Sequence, residues 1–142
     1  YVPDALKSLG VRLHFTRVAI KPGKPTVFGS HEKGFVFGSP GNPVSTFVVF
    51  EVIIKPFLYR MMGHVYRPRI VAAPMADTWR RSKVKRTAFL PVRLEKGRVV
   101  IPEYHGSAHI FALPGADGLV EIPAGIKQVR AREEVNVRLL GS

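Results

Sequence analysis

Apolar and polar positions alternate with a different rhythm in each part of the chain. In residues 3–9, Leu6 and Leu9 fall three apart, Asp4 sits in the first turn and Gly10 follows, which predicts a short helix with a glycine stop. Residues 11–20 (VRLHFTRVAI) are rich in β-branched and aromatic side chains and predict a strand. TVFG at 26–29 and GFVFG at 34–38 predict two more, with Ser30, His31, Glu32 and Lys33 as a connection of hairpin length.

Residues 43–62 carry two opposed signals. The run Val48, Val49, Val52, Ile53, Ile54 has the composition of a strand. Asn42 suits an N-cap, Pro43 suits the first helical position, and the segment is too long for one strand, so a helix is predicted. Apolar residues cover most of its circumference, which predicts burial on both sides. Pro56 predicts a kink near its C-terminal end, and Gly63 a cap. Tyr66-Arg67-Pro68-Arg69 reads as a linker, with a domain boundary at about 64–69 because the proline cannot easily continue a helix. Beyond it, strand-like pieces recur at 70–73, 87–94, 98–102, 119–123 and 134–140. Glu95-Lys96-Gly97 reads as a hairpin loop, and Pro114-Gly115 and Pro123-Ala124-Gly125 as turns. The predicted fold class is therefore α/β followed by all-β: an α/β part over 1–67, and a small antiparallel barrel or sandwich over 68–142.

Composition narrows the class. Of 142 residues, 46% are apolar and 23% charged, a globular balance that argues against disorder. The longest apolar stretch, residues 44–54, is interrupted by Glu51 and followed by Lys55-Pro56, too short to span a bilayer; no membrane partner is expected. With no cysteine there is neither a disulfide framework nor a thiolate metal site, as suits a reducing, cytoplasmic compartment. No signal peptide is apparent, and the opening Tyr1-Val2-Pro3-Asp4 reads as if cut from something longer. The net charge of +12 is divided evenly: nine Lys and Arg against three Asp and Glu in 1–67, thirteen against seven in 68–142. Such a surface favours anionic partners, whether nucleic acid, an acidic protein or a phosphorylated small molecule.

Two loops can collect an anion. In Lys21-Pro22-Gly23-Lys24-Pro25, proline followed by glycine predicts a type II turn. Lys21 and Lys24 then stand at its two ends, Cα atoms less than about 7 Å apart. A solvated turn that happens to carry two lysines explains the same residues. Ser39-Pro40-Gly41-Asn42-Pro43-Val44-Ser45 repeats the Pro-Gly pattern and leads into a helix N-terminus, where free N–H groups and the Ser45 hydroxyl can receive an anion. A well-capped helix needs no ligand, so both readings stay open here too.

Trp79-Arg80-Arg81-Ser82-Lys83-Val84-Lys85-Arg86 is either a nucleic-acid patch with a stacking tryptophan or an exposed basic hairpin; a single aromatic favours the hairpin. His105 and His109 are four apart, but Gly106 and Ser107 disfavour a helix and no third ligand is apparent, so no metal site is assigned. Ser107 has no visible base partner.

AIKPGKPTVFG at 19–29 followed by VFGSPGNPVSTFVVFEVIIKPFLYRMMG at 36–63 closely resembles the molybdopterin molybdenumtransferase family, the molybdenum insertases, which include the gephyrin E domain. RTAFLPVRL at 86–94, HGSAHIFAL at 105–113 and ADGLVEIPAG at 116–125 agree less tightly. The resemblance implies part of a molybdopterin-binding-like α/β subdomain, then a small C-terminal β-barrel, in a homodimer. It implies insertion of molybdate into adenylylated molybdopterin, releasing AMP, with magnesium involved. Lys21, Lys24, Pro40 and Pro43 match family positions near the active site; Arg86, Arg93 and Ser107 match motif positions in the barrel. With Gly23, Gly41, Asn42 and Ser45 from the two loops, these are the candidate substrate-binding residues.

The sequence departs from the family at Ala88, where Glu is usual, and at Ala108, where Gly is usual. The family's acidic GGxSxGDxD-type segment would precede Tyr1. Residues 1–67 offer only Asp4, Glu32 and Glu51 as carboxylates, none of them in the two loops, so this chain alone is expected to bind but not to insert metal, with magnesium ligands lying outside it. Two rivals remain: a non-catalytic basic module for nucleic acid or an acidic partner, and a scaffold.

Overall fold

The computed structural model describes residues 1–102, 113 and 115–141. They form two compact units, Tyr1–Tyr66 and Arg67–Ser142.

The first unit opens with α1 (Val2–Ser8). Leu9 closes it and Gly10, at φ +78°, reverses the chain: Gly10 N–H donates to Lys7 O at 3.0 Å and Val11 N–H to Leu6 O at 3.0 Å. This paired closure is a Schellman motif, and only a residue without Cβ adopts that φ without cost. The expected strand over 11–20 is shorter. It ends as β1 (Arg12–Phe15), because a bulge between Leu13 and Phe15 breaks its register, and the chain then loops until β2 (Ile20–Lys21). β3 (Val27–His31) and β4 (Gly34–Gly38) form the expected hairpin around Glu32 and Lys33, and β1 adds to β3, giving the antiparallel order β1-β3-β4.

The long apolar segment is helical throughout 43–61, in three pieces: α2 (Pro43–Val49), a π-helical turn (Phe50–Ile54) and α3 (Lys55–Met61). Pro56 has no N–H to give and its ring crowds the carbonyl four residues earlier. The wider π turn directly before it relieves that crowding, where a simple kink was expected. Gly63 at φ +79° repeats the Schellman closure, its N–H to Arg60 O at 3.0 Å and His64 N–H to Tyr59 O at 2.8 Å. Phe57 of α3 sits on the sheet, 5.4 Å from Phe28 and 5.2 Å from Phe37 between ring centroids. No helix is long and apolar enough to cross a membrane, among the described residues.

The second unit is mostly sheet. β5 (Ile70–Pro74), β7 (Thr87–Glu95), β9 (Gly118–Ile122) and β11 (Glu134–Leu139) run antiparallel in the order β7-β9-β11-β5, with β8 (Arg98–Val100) paired to β7. The hairpin between β7 and β8 turns through Lys96 at φ 49° and Gly97 at φ 74°. Two positive φ values suit a type I′ hairpin turn. The sheet curls until Ala76 N–H reaches Val99 O at 2.8 Å, beside a Met75–Val99 bridge. That contact does not extend into a ladder, so the expected closed barrel is not seen among the described residues. A ribbon of β6 (Trp79–Arg80) and β10 (Gln128–Val129), too short to show any alternation in sequence, is an addition to the expected strands. Met75, Val92, Val99, Val120, Ile122 and Val137 form the centre of the core.

One buried ion pair holds the π turn. Glu51, 7% exposed, receives the Lys55 ammonium at 3.2 Å, and that ammonium also lies 5.2 Å from the centre of the Tyr66 ring. Burial lowers the Lys55 pKa, but the Glu51 carboxylate, with a smaller contribution from Tyr66, more than reverses it, and the lysine titrates above its ordinary value. A raised lysine stabilises the fold below its unfolded pKa of about 10.4, and the contribution fades as pH rises through the folded value. Glu51→Gln strands the ammonium and is expected to cost about 2–4 kcal/mol at pH 7 in urea unfolding. The difference from wild type should shrink above about pH 10.4, as the lysine loses its charge.

Candidate functional site

The lysine loop is built from the inside out. Lys21 and Lys24 are exposed, while Gly23 between them is buried. The Lys21–Pro22 peptide is cis and Gly23 has φ +117°, so the loop is not the type II turn expected, although the positive φ at glycine is the one that turn requires. Three contacts fix it. Val18 N–H donates to Lys24 O at 2.9 Å. The fully buried Thr26 Oγ1 donates to Gly23 O at 2.6 Å. Gly23 itself lies against the helix flank: a methyl added there would stand 2.8 Å from Val49 Cγ2 and 2.9 Å from Ile20 Cδ1. Neither lysine takes part in an ion pair among the described residues.

The second loop is anchored by its own residues. Asn42, at φ −78° and ψ 124°, caps α2, its Oδ1 accepting from Ser45 N–H at 3.2 Å. Thr46 Oγ1 donates to Pro40 O at 2.5 Å and reaches Asn42 O at 3.2 Å. Gly41 and Pro43 are exposed, and nothing lies within 4 Å of where a Cβ on Gly41 would be. Ser45 is buried and its hydroxyl faces Asn42 Oδ1 at 3.5 Å, so it belongs to the cap more than to an open pocket.

Both loops border the same helix. Val49, against Gly23, is six residues beyond Pro43, about 9 Å along the helix axis at the α-helical rise.

In the second unit the basic stretch is pulled apart. Arg81, 9% exposed, turns inward and donates to three carbonyls: Ile126 O at 2.7 Å, Arg86 O at 2.7 Å and Pro123 O at 2.5 Å. Its guanidinium also lies 5.7 Å from the centre of the Trp79 ring, and Trp79 packs on the core. That occupied tryptophan is no open stacking platform. Arg80 Nε donates to Gln128 Oε1 at 3.1 Å across the ribbon, and Arg80, Lys83 and Lys85 are exposed cations. Arg86 is half-buried. Arg93 is exposed and its Nε donates to Gly115 O at 3.1 Å. Ser107, Ala108, His105 and His109 lie outside the described residues.

The inward role of Arg81 is invisible in the sequence, where it is one of five cations in a row of charges. The threonine tethers are equally silent, since Thr26 and Thr46 look like ordinary loop and helix residues. A hydroxyl three residues after a Pro-Gly apex is the only trace of the first.

Among the described residues no three His, Asp or Glu side chains are grouped to hold a metal. Asp4 is exposed and meets the Tyr1 amino group at 3.3 Å, Glu32 is exposed in the hairpin, and Glu51 is committed to Lys55. The described residues of the first unit do not fit a magnesium site.

Residues 1–60 match the family described as "Probable molybdopterin binding domain", and residues 72–140 match "MoeA C-terminal region (domain IV)". A molybdopterin molybdenumtransferase of Synechococcus elongatus is 33% identical over 142 residues, covering 99% of this chain and 35% of that protein. One from Staphylococcus epidermidis is 28% identical, covering 100% and 35%. The crystal structure of a molybdopterin biosynthesis MoeA protein from Pyrococcus horikoshii superposes with a TM-score of 0.86 at 32% identity, over 99% of this chain and 34% of that one. A molybdenum cofactor biosynthesis protein from Pyrococcus furiosus gives 0.79 at 26%, over 97% and 53%. The chain is similar along nearly its whole length to molybdopterin molybdenumtransferases and spans about 35% of the length of the curated relatives it matches.

The inward guanidinium sets a test of the basic stretch. Arg81→Ala leaves three carbonyls without their donor and is expected to cost about 2–4 kcal/mol in urea unfolding. Lys83→Ala and Lys85→Ala should each stay within about 0.5 kcal/mol of wild type.

Proposed function

We infer that this chain supplies part of the substrate-binding surface for molybdenum cofactor biosynthesis, in which molybdate is inserted into adenylylated molybdopterin and AMP is released. One observation carries the reading: Lys21 and Lys24 stay exposed and without an ion-pair partner among the described residues, on a loop whose backbone is fixed from behind. A preformed pair of cations binds a phosphate or an oxyanion without first giving up a carboxylate. Pro40, Gly41, Asn42 and Pro43 are proposed as contacts from the loop that caps α2, and Arg86, Arg93 and Ser107 as ligand-binding residues of the second part of the chain taken by itself.

Binding and turnover separate on this reading. Insertion needs carboxylates to hold magnesium and manage protons. The three acidic side chains of the first unit are an exposed terminal pair, an exposed hairpin residue and a buried partner of Lys55. Magnesium ligands are therefore proposed to come from residues outside this chain, and the homodimer of the family is proposed for the whole protein. The nucleic-acid reading loses support from Arg81 and Trp79, which are occupied within their own unit.

The 142-residue chain is expected to bind AMP, and the double variant Lys21→Ala, Lys24→Ala to bind it more weakly by a factor of about ten or more, with a flatter dependence on salt. Isothermal titration at several ionic strengths reads both. Unchanged affinity removes the lysine loop from the site. In reconstitution with adenylylated molybdopterin, magnesium and molybdate, scored by activation of a molybdenum-dependent apoenzyme, the chain should give no turnover. Activation would mean that its own carboxylates suffice. Duplex DNA binding lost in Arg80→Ala, Lys83→Ala, Lys85→Ala but kept in the loop double variant would support the nucleic-acid reading instead.

A further inference from the structure

Both Pro-Gly loops carry the same tether. The buried Thr26 hydroxyl holds the Gly23 carbonyl at 2.6 Å, and the half-buried Thr46 hydroxyl holds the Pro40 carbonyl at 2.5 Å. A carbonyl facing an anion repels it, and a loop of this kind displays carbonyls and N–H groups in turn. In a planar trans peptide the C=O and the following N–H point in opposite directions. Holding Gly23 O therefore fixes the direction of Lys24 N–H, and holding Pro40 O fixes that of Gly41 N–H. The fully buried Thr26 draws Gly23 O inward and turns Lys24 N–H the other way, and Thr46, in the first turn of α2, draws Pro40 O toward the helix and turns Gly41 N–H away from it. Lys24 and Gly41 are both exposed, and neither N–H has a backbone acceptor among the described residues.

We propose that Thr26 and Thr46 are positioning residues that turn the Lys24 and Gly41 N–H groups outward as anion donors, each on its own loop. The proposal rests on the anion-binding reading above. It assigns to two residues without charge the task of keeping carbonyl oxygens away from phosphate. It also gives the buried position of Thr26 a reason that packing alone does not: valine would fill the same volume and leave Gly23 O without its donor.

The test is a titration of the 142-residue chain with inorganic pyrophosphate, followed by ¹H–¹⁵N spectra. In the wild type, the amides of Lys24 and Gly41 should move most. Thr26→Val and Thr46→Val should each weaken pyrophosphate by about tenfold, the size of one lost positioned hydrogen bond. Thr26→Ser and Thr46→Ser keep the hydroxyl and should stay within about twofold. The wild-type titration needs no variant to fold, and the half-exposed Thr46 site provides a second substitution if valine at 26 unfolds the chain. Valine variants that bind as tightly as wild type, while Lys21→Ala, Lys24→Ala does not, overturn the tethers alone. So does a titration in which other amides respond and those of Lys24 and Gly41 stay still. Absence of binding by the wild type, or full binding by the lysine double variant, overturns the anion-site reading and the tethers with it.

Discussion

Gly23 has no Cβ, and the first unit is arranged around that absence. Its backbone reaches the flank of α2 so closely that a methyl group would stand 2.8 Å from Val49 Cγ2. The approach brings the loop's two flanking lysines to a helix that is itself anchored, at one end by Asn42 and at the other by the second Schellman closure at Gly63. A side chain at 23 would push the loop off that helix, and the lysines would keep their charge but lose their place. Orientation is the costly part of binding a polyanion, because each long side chain that must be ordered on arrival subtracts from the affinity gained.

Charge in this molecule is sorted by what holds it. Arg81 is used up by three carbonyls of its own unit and Lys55 by Glu51. Those cations are structural. Lys21 and Lys24 are outside every ion pair among the described residues. A net charge of +12 taken as a whole points to any anion. The same charge resolved residue by residue singles out a loop in which two exposed lysines flank a buried glycine whose carbonyl is held from behind.

Local signals carry over from sequence to structure more faithfully than tertiary ones. Gly10 and Gly63 stop their helices with the closure that a glycine after an apolar turn foretells, and Asn42-Pro43 starts one, because cap chemistry involves neighbours in sequence. The strand expected over 11–20 breaks at a bulge, since composition reports β preference but not register. The two-residue ribbon β6–β10 has no period to detect. The π turn is a response to Pro56, and its residues resemble those of any apolar helix. In the candidate site the lysines, the Pro-Gly pairs and the cap are legible as motifs. Thr26, Thr46 and Arg81 are not, because what distinguishes them is which carbonyl they meet.

A surface that holds an anion and one that transforms it differ in their acids. The first unit has three carboxylates: Asp4 at the amino terminus, Glu32 exposed in a hairpin and Glu51 buried against a lysine. Moving Glu51 into service would strand the Lys55 ammonium in a buried position, a change that costs more than most binding contacts return. Among the described residues Glu51 is the one buried acid, and the fold has committed it to the Lys55 ammonium beside the π turn before Pro56. The helix against which Gly23 packs is thus held in part by an acid and a base that neutralise each other, and the exposed lysines of the loop above it are left without such a partner among the described residues.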